Sequence, residues 1–317
     1  MTFMNNVGDQ ETLFKIPANI EWEPKKSICP LCNGDSYKVI GNRGGEFHRD
    51  KLGIETRVVQ CRHCRLFYTN PTLFPLSNPY AQEGEYFVKH DKKWKIEYGG
   101  ELSEKVEKII GRKGRLIEPA CGPGDFLLGA QIKGWEVRGV EMTESFVGEG
   151  RANGLDIEFS SVETSKYLDE EYDAIFMLAM LEHLYDPINM LKKAHKVLVP
   201  GGLAVINVPN EVTSLVNIVG NIYVRSFYGK NWTMSLSPTF SPYHVVGFSP
   251  ESLSYALDET GFDIITLETI SGVNVLPSPK GLKQKLESAG LSLFLLAGKV
   301  ADIFNRGNEI WCWAQKR

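Results

Sequence analysis

The 317-residue sequence lacks a long apolar run, a basic surplus and an N-terminal leader pattern. A membrane-spanning helix needs about 20 consecutive apolar residues, and the longest apolar stretch, residues 291–298, is far shorter. Residues 1–10 contain no basic start followed by an apolar segment, so they predict no secretory signal. These absences predict a cytoplasmic protein without a membrane span.

The charge balance argues against a general nucleic-acid binder. There are 35 basic and 39 acidic residues, a formal charge of −4, whereas nucleic-acid binders usually carry a basic surplus. The local basic stretch 89–95 predicts a solvated helix face, with RNA contact as the alternative. Residues 291–298 predict a core helix or a helix that forms a homodimer.

Cysteine is scarce, but four of the six cysteines form two C-x-x-C pairs, Cys29 with Cys32 and Cys61 with Cys64. Thiols stay reduced in the cytosol, so such pairs indicate metal or redox chemistry rather than disulfides. Four thiolates at this spacing suit the tetrahedral shell of a structural zinc ion. A redox pair needs a C-x-x-C at a helix start in a βαβ unit, which neither pair has. His63 is an alternative ligand.

From about residue 100 onward, short apolar runs alternate with segments of helical periodicity. The predicted strands are residues 115–118, 135–140, 155–159, 172–177, 203–208, 262–267 and 309–314. The predicted helices are residues 125–132, 144–152, 188–197 and 250–260, with a turn at 200–202 and one or two helices in 281–304. Such alternation implies an α/β fold, a Rossmann-like and mostly parallel sheet with helices on both faces, preceded here by the small zinc-binding module.

A glycine-rich turn follows the first predicted strand of this sheet, in the segment Glu118-Pro-Ala-Cys-Gly-Pro-Gly-Asp125. Gly122 and Gly124 permit a sharp turn and let a ligand approach the backbone closely. A dinucleotide fingerprint would place a third small residue at position 127, where this chain has leucine. Glu141 ends the next strand, where an acid can bind both hydroxyls of a ribose.

In combination, these segments resemble the class I S-adenosylmethionine (SAM) dependent methyltransferases. The glycine turn is similar to motif I of that family. The later matching segments are Met180-Leu-Glu-His-Leu-Tyr-Asp-Pro187, Leu198-Val-Pro-Gly-Gly202, Val208-Pro-Asn210 and Tyr243-His-Val-Val-Gly-Phe-Ser249. The double C-x-x-C is similar to the front module of several sugar-modifying members. The resemblance implies SAM and zinc as cofactors and a small-molecule acceptor, such as a sugar, a nucleotide-sugar or a secondary metabolite.

The resemblance also assigns cofactor-binding residues by position. It implies Glu118 near the methionine amino group, Glu141 on the ribose and Met142 against the adenine. The set that it implies is Tyr86, Glu118, Ala120, Gly122, Gly124, Glu141, Met142, Ser161, Val162, Leu178 and Ala179. Ala120 stands where motif I has a glycine, and Tyr86 is expected to cover the cofactor from the linker.

The same patterns divide the chain into four parts. They are a polar lead-in with few anchors (1–26), a zinc-binding module (27–70), a linker over the cofactor pocket (71–100) and the methyltransferase domain (101–317), which holds a cap-like insert at about 211–248. Pro71, Pro75 and Pro79 interrupt the linker, so we expect no regular helix in it.

Methyl transfer from a sulfonium is an in-line displacement, so the protein must align the acceptor with the methyl group. A hydroxyl or acidic-carbon acceptor also needs a base. The candidates are Glu182, His183, Tyr243 and His244. Structural roles are the alternatives: a hydrogen-bonded imidazole for His183, loop anchoring for Glu182 and packing for Tyr243.

Three other functions stay open at this level. An RNA methyltransferase would grip RNA with the zinc module, but the acidic total argues against it. Intact Gly122, Gly124 and Glu141 argue against a non-catalytic zinc adaptor. Leu127 argues against a nicotinamide dehydrogenase.

Overall fold

A computed structural model describes residues 20–77, 79, 92–271 and 300–317. Tyr86, residues 89–91 of the basic stretch and most of the predicted helical region 281–304 lie outside the described residues. Within the described ranges, no helix has both the length and the apolar character that crossing a bilayer requires.

The front part of the chain forms two small antiparallel sheets. Its strands are β1 Trp22–Lys25, β2 Tyr37–Arg43, β3 Thr56–Cys61, β4 Phe67–Thr69 and β5 Thr72–Pro75. Strand β1 pairs with β5, and β2, β3 and β4 pair in series. The hairpin of β3 and β4 therefore carries Cys61 and Cys64 at its turn, opposite the loop that carries the first cysteine pair.

The main domain is built on a seven-stranded sheet. Its strands are β6 Arg115–Pro119, β7 Glu136–Glu141, β8 Asp156–Phe159, β9 Tyr172–Leu178, β10 Leu198–Pro209, β12 Phe262–Ile270 and β13 Glu309–Lys316. Their order across the sheet is β8-β7-β6-β9-β10-β13-β12. Strand β13 runs antiparallel to both neighbours, while the five strands from β8 to β10 are parallel. The predicted mostly parallel sheet is confirmed.

Helices cover both faces of this sheet. They are α1 Lys92–Ile110, α2 Asp125–Ile132, α3 Glu144–Ala152, α4 Pro187–Val197, α5 Leu215–Tyr228 and α6 Pro250–Glu259. Alternate strand residues point to opposite faces: Ile175 and Met177 pack in one buried cluster with α4 and α6, whereas Ala174 and Phe176 pack in another with α1, α2 and α3. The first cluster also contains Cys29, so the front module and the main domain share one core.

Local sequence explains where several helices begin. At α4, the Asp186 side chain accepts a hydrogen bond from Asn189 N, and Pro187 occupies the first turn. At α6, Ser249 and Ser252 form a reciprocal capping box. A further two-residue strand, β11 Val246–Gly247, precedes α6 and pairs with β4 of the front module. The insert is thus joined to the front module by backbone hydrogen bonds.

The structure corrects three local predictions. Trp22–Lys25, assigned from sequence to a lead-in with few anchors, forms β1 because β5 offers it a partner. Helix α1 begins at Lys92, inside the predicted linker, and its Gly99 and Gly100 pack closely against α2. Residues 200–202 are not a separate turn; they belong to β10, where a register shift and the positive φ of Gly201 absorb the bend.

Candidate functional site

The turn between β6 and α2 and the end of β7 form one hydrogen-bonded unit. The Glu141 carboxylate accepts backbone N–H groups from Gly122 at 2.9 Å, Met142 at 2.9 Å and Thr143 at 2.8 Å. Gly122 and Gly124 have φ values of 56° and 79°. A Cβ added at Gly122 would meet no atom within 4 Å. The turn therefore faces open space beside a fixed carboxylate, as a bound cofactor requires.

Two buried acids lie beside this turn. Glu118 is 3% exposed and Asp125 is 7% exposed, and Glu118 Oε2 and Asp125 Oδ1 have no hydrogen-bond partner among the described residues. Burial raises the pKa of both carboxyls, and the charge of Lys95 opposes that rise in each case. Lys92 Nζ lies 4.0 Å from Asp125 Oδ1. The site has buried acceptor atoms suited to an ammonium group.

The lysines of α1 fit the solvated face predicted for residues 89–95 only in part. Lys92 and Lys93 are exposed, and Lys92 pairs with Glu149 at 2.7 Å. Lys95 is half-buried and close enough to Asp125 to act on its charge. This end of α1 therefore contributes to the cofactor side of the site.

Three non-glycine residues of the predicted site have left-handed backbone. The φ values are 55° at Ala120, 49° at Ala179 and 62° at Tyr243. An L-residue in this region costs about 1–2 kcal/mol, and such strain concentrates at functional sites. The conformation at Ala120 explains why motif I has glycine there, and alanine, the smallest chiral residue, takes it here.

The remaining predicted cofactor residues lie along the carboxyl edge of the sheet. Ser161 and Val162 follow β8, and Lys193 Nζ donates to the Val162 carbonyl at 3.0 Å. Leu178 ends β9 and is half-buried, and Ala179 follows it. Because carboxyl ends of parallel strands meet at one edge, these residues share the edge with Glu141.

One cavity of about 320 Å³ lies between the cofactor edge and the front part of the chain. Its volume is in the range of small-molecule sites, about 300–1,000 Å³. It is lined by residues from the front strands, the cofactor edge and the insert: Trp22, Pro75, Leu76, Ser77, Pro79, Met142, His183, Tyr185, Pro238, Tyr243 and Val245. The Trp22 ring stacks with Tyr243 at 6.4 Å between centroids. Met142 of the predicted cofactor set and His183 of the predicted catalytic set therefore face one space.

Glu182, His183 and His244 form a cluster, of which His183 lines this cavity. One nitrogen or carboxylate oxygen of each lies within 4.8 Å of the others. His183 Nδ1 lies 3.3 Å from the Tyr243 carbonyl oxygen, and His183 Nε2 lies 3.8 Å from Glu182 Oε1. His244 Nδ1 lies 3.1 Å from Glu211 Oε1. The structure thus brings the predicted catalytic residues together, with Tyr243 contributing its carbonyl here and its ring to the cavity.

Burial dominates the titration of this cluster. It raises the pKa of Glu182 to about 7 and lowers the pKa of His183 to about 3, so His183 is a neutral imidazole at neutral pH. Burial also acts to lower the pKa of His244, but the hydrogen bond to Glu211 and the charge of Glu182 raise it overall.

The four paired cysteines converge in the front module. Cys29 Sγ lies 3.4 Å from Cys64 Sγ, and Cys32 Sγ lies 3.5 Å from Cys61 Sγ. A tetrahedral zinc site with Zn–S bonds of about 2.3 Å places its sulfurs about 3.8 Å apart. All four are free thiols. Both the donor set and the spacing fit a zinc ion, and among the described residues His63 packs on Tyr255 rather than joining this group.

Sequence reasoning missed several residues of the site. Glu211 follows Pro-Asn at the carboxyl end of β10, and this position is a signal that could have found it. Tyr185, whose hydroxyl donates to the Leu73 carbonyl at 3.0 Å, lies in a quoted motif but received no role. Trp22 had no signal, because its strand exists only through pairing with β5.

Comparisons with known proteins agree with this geometry. A family model described as a methyltransferase domain matches residues 94–267, more than half of the chain. A ubiquinone biosynthesis O-methyltransferase of Acinetobacter baumannii is 21% identical over 187 residues, covering 56% of this chain and 74% of the relative. One from Aeromonas salmonicida is 22% identical over 183 residues, covering 56% and 72%.

The solved structures show a similar fold. A SAM-dependent methyltransferase from Archaeoglobus fulgidus matches with a TM-score of 0.50 and 19% identity over 73% of this chain and 99% of that one. The two proteins therefore share the same fold. The chain belongs to the methyltransferase-domain family and is a class I SAM-dependent methyltransferase.

Proposed function

We propose that this protein transfers the methyl group of SAM to a small molecule held in the cavity between the cofactor edge, the front part of the chain and the insert. The observation that carries this proposal is the shared cavity: Met142, directly after the ribose-side acid Glu141, and His183 line the same space. The methyl carbon and an acceptor atom can then meet in line within one cavity.

The cofactor side supports SAM by its charges. Glu141 takes the two ribose hydroxyls, because its carboxylate is already fixed by three backbone N–H groups. Glu118 and Asp125 receive the methionine ammonium, since each has a buried oxygen without a partner among the described residues. Met142, 43% exposed, offers an apolar surface to the adenine. The rest of the cofactor site lies along the same edge of the sheet and consists of Ser161, Val162, Leu178 and Ala179.

The acceptor side supports a small molecule with a flat or apolar body. Trp22, Tyr185 and Tyr243 supply rings on which a sugar or an aromatic face can stack, and the prolines of the wall add further apolar surface. Glu182, His183 and His244 activate the acceptor atom from one side. A sugar, a nucleotide-sugar or another secondary metabolite fits this description. The names of the curated relatives, ubiquinone biosynthesis O-methyltransferases, also favour a small molecule over RNA.

The cysteine group holds a structural zinc ion in this proposal. Four sulfur donors close the coordination shell and leave no open position for catalysis. The cysteine group lies in the core that the front module shares with the main domain, which supports a role in holding the front strands, and with them Trp22, at the cavity.

A matched pair of glycine substitutions tests the SAM assignment. Gly122 and Gly154 both have positive φ, 56° and 83°, and at neither would a Cβ meet an atom within 4 Å. Valine therefore strains the backbone at both positions, by about 1–2 kcal/mol or more, but only at Gly122 does it enter the proposed cofactor space. We expect Gly122→Val to abolish SAM binding in isothermal titration calorimetry and Gly154→Val to keep it.

Thermal denaturation of both variants reports the shared strain. Equal losses of stability with SAM binding lost only in Gly122→Val support the proposal. Unchanged SAM affinity in Gly122→Val contradicts it, and so does a dehydrogenase cofactor in place of SAM in the purified protein.

A further inference from the structure

We infer that helix α5 of the insert docks on the surface of an anionic lipid membrane. The helix, Leu215–Tyr228, turns polar residues toward the protein and apolar residues outward. Docking is a property separate from methyl transfer, and it can be measured without SAM or an acceptor.

Polar side chains attach α5 to the rest of the protein. Asn217 Nδ2 donates to Glu211 Oε2 at 3.1 Å, and Asn221 Oδ1 accepts from Thr233 Oγ1 at 2.7 Å. Arg225 donates to two backbone carbonyls at 2.8 and 3.2 Å. The three attached positions are four residues apart, so they share one face of the helix. That polar face is turned toward the protein.

The opposite face of α5 is apolar and exposed. The exposed fractions are 56% for Val219, 61% for Ile222, 52% for Tyr223 and 73% for Phe227. Their spacing of three and four residues places them on one side of the helix, called here the α5 face. A surface helix of a globular protein normally has the reverse pattern, with its apolar side inward. Such a group of exposed apolar side chains marks a surface that contacts a membrane or another protein.

Charge favours a membrane over a second copy of this chain. The sequence has 39 acidic residues, yet none lies between Glu211 and Glu251, a segment that holds Arg225 and Lys230. Two copies that met through the same face would bring these cations together, with no acid of residues 212–250 to pair with them. Anionic headgroups supply the opposite charge across a whole plane. The α5 face and its cations therefore fit an anionic lipid surface.

Aromatic rings near the end of α5 are a second feature typical of membrane interfaces. The centroids of the Tyr223 and Phe227 rings lie 4.7 Å apart, and Tyr228 stacks with Trp232 at 4.7 Å. Phe47 of the front module lies 5.8 Å from Trp232. Tyrosine and tryptophan combine an apolar ring with a polar group, and they are enriched where hydrocarbon meets water. These rings extend the α5 face toward the front module.

Docking of α5 would bring the acceptor cavity to the membrane. The same insert supplies Pro238, Tyr243 and Val245 to the cavity wall. The surface therefore favours an acceptor that partitions into lipid. This consequence rests on the proposed function, whereas the docking itself does not.

Vesicle flotation of the full-length protein tests the inference. Vesicles of phosphatidylcholine alone are compared with vesicles of equal parts phosphatidylcholine and phosphatidylglycerol, at low and at high salt. We expect binding to the anionic vesicles that weakens at high salt, because salt screens the lipid charge. Phe227→Ser should weaken this binding about tenfold or more, since a ring that the membrane buries is lost. Lys230→Gln should weaken it about fivefold at low salt.

Matched controls change similar residues outside the insert. Ile132 of α2 is 66% exposed and Lys93 of α1 is 84% exposed. Ile132→Ser and Lys93→Gln should bind vesicles as the parent does. In thermal denaturation, Phe227→Ser should melt close to the parent, because the ring it removes is exposed.

Four results would overturn the inference. Two are a parent that does not bind the anionic vesicles and a Phe227→Ser variant that binds them equally well. The third is a large loss of stability in Phe227→Ser, which would show that the chain itself covers the α5 face. The fourth is a dimer in sedimentation velocity that Phe227→Ser converts to a monomer, which would make this face a contact between copies. Absence of SAM binding in the parent would instead overturn the proposed function and leave the vesicle result valid.

Discussion

Helices α1 and α2 pack closely because glycines lie at their contact, so adding a single methyl group there should lower stability. A Cβ added at Gly129 of α2 would meet the Ile96 carbonyl oxygen and would lie 2.6 Å from Gly100 N, both backbone atoms of α1. Backbone atoms cannot rotate away as a side chain can. Gly129→Ala must therefore move one helix relative to the other.

The size of the effect follows from two opposing terms. Alanine favours a helix interior over glycine by about 1 kcal/mol, while forcing extra volume into a packed contact typically costs about 1–3 kcal/mol and sometimes more. Because the closest atoms here belong to the backbone, we expect the upper part of that range and a net loss of about 1–2 kcal/mol. Gly148 in α3 offers the matched control: it is exposed, and a Cβ there would meet nothing within 4 Å. Gly148→Ala should raise stability by about 0.5–1 kcal/mol.

Urea denaturation of both variants measures these opposite signs, and SAM titration adds a functional readout. Helix α2 begins directly after the cofactor turn, and the backbone of its second residue, Phe126, lies against Gly99 of α1. Displacing α1 should therefore weaken SAM binding in Gly129→Ala only. If Gly129→Ala is as stable as Gly148→Ala, the packing of the two helices described above is incorrect.

Three further predictions concern the cofactor, the metal module and the cavity wall. Glu141→Gln should weaken SAM binding about 10–150-fold in calorimetry, because a hydrogen bond to a charged group contributes about 1.5–3 kcal/mol; unchanged affinity would contradict the ribose role of Glu141. Cys64→Ser should release the module's zinc to a chelator and lower the thermal midpoint, while Cys312→Ser, on β13 and remote from the sulfur group, should retain the metal. Tyr185→Phe should cost about 1 kcal/mol in urea denaturation, since the Leu73 carbonyl loses its buried donor; no loss would show that water replaces it.

The main sheet could be predicted because its signals are local. Predicted helices 125–132 and 144–152 match α2 and α3 to the residue, and each begins directly after a glycine or a threonine. The turn that contains Gly122 follows the strand β6 and Glu141 ends the strand β7, and both strands could be predicted. The position of the cofactor edge could therefore be predicted from the sequence as well.

The parts that failed depend on distant partners. Strand β1 needs β5, α1 needs the glycine contact with α2, and the helix α5 inside the insert begins at the Ser214 cap, which an aromatic and polar stretch obscures. The role of Glu211 depends on His244, whose ring approaches it only in the folded chain. The periodicity of a short sequence segment does not reveal contacts with residues that are distant in the sequence.

Strand β11 has a consequence that reaches beyond its two residues. It follows directly after His244 and Val245 and pairs with β4. The hairpin of β3 and β4 carries the second cysteine pair at its turn. The proposed zinc site and the proposed acceptor cavity are therefore connected through one hydrogen-bonded pair of strands. By reciprocity, whatever factor the ion contributes to the acceptor's affinity, the acceptor must return to the ion's. Candidate acceptors can then be screened by the rate at which a chelator removes the proposed zinc ion, because a coupled acceptor would change that rate.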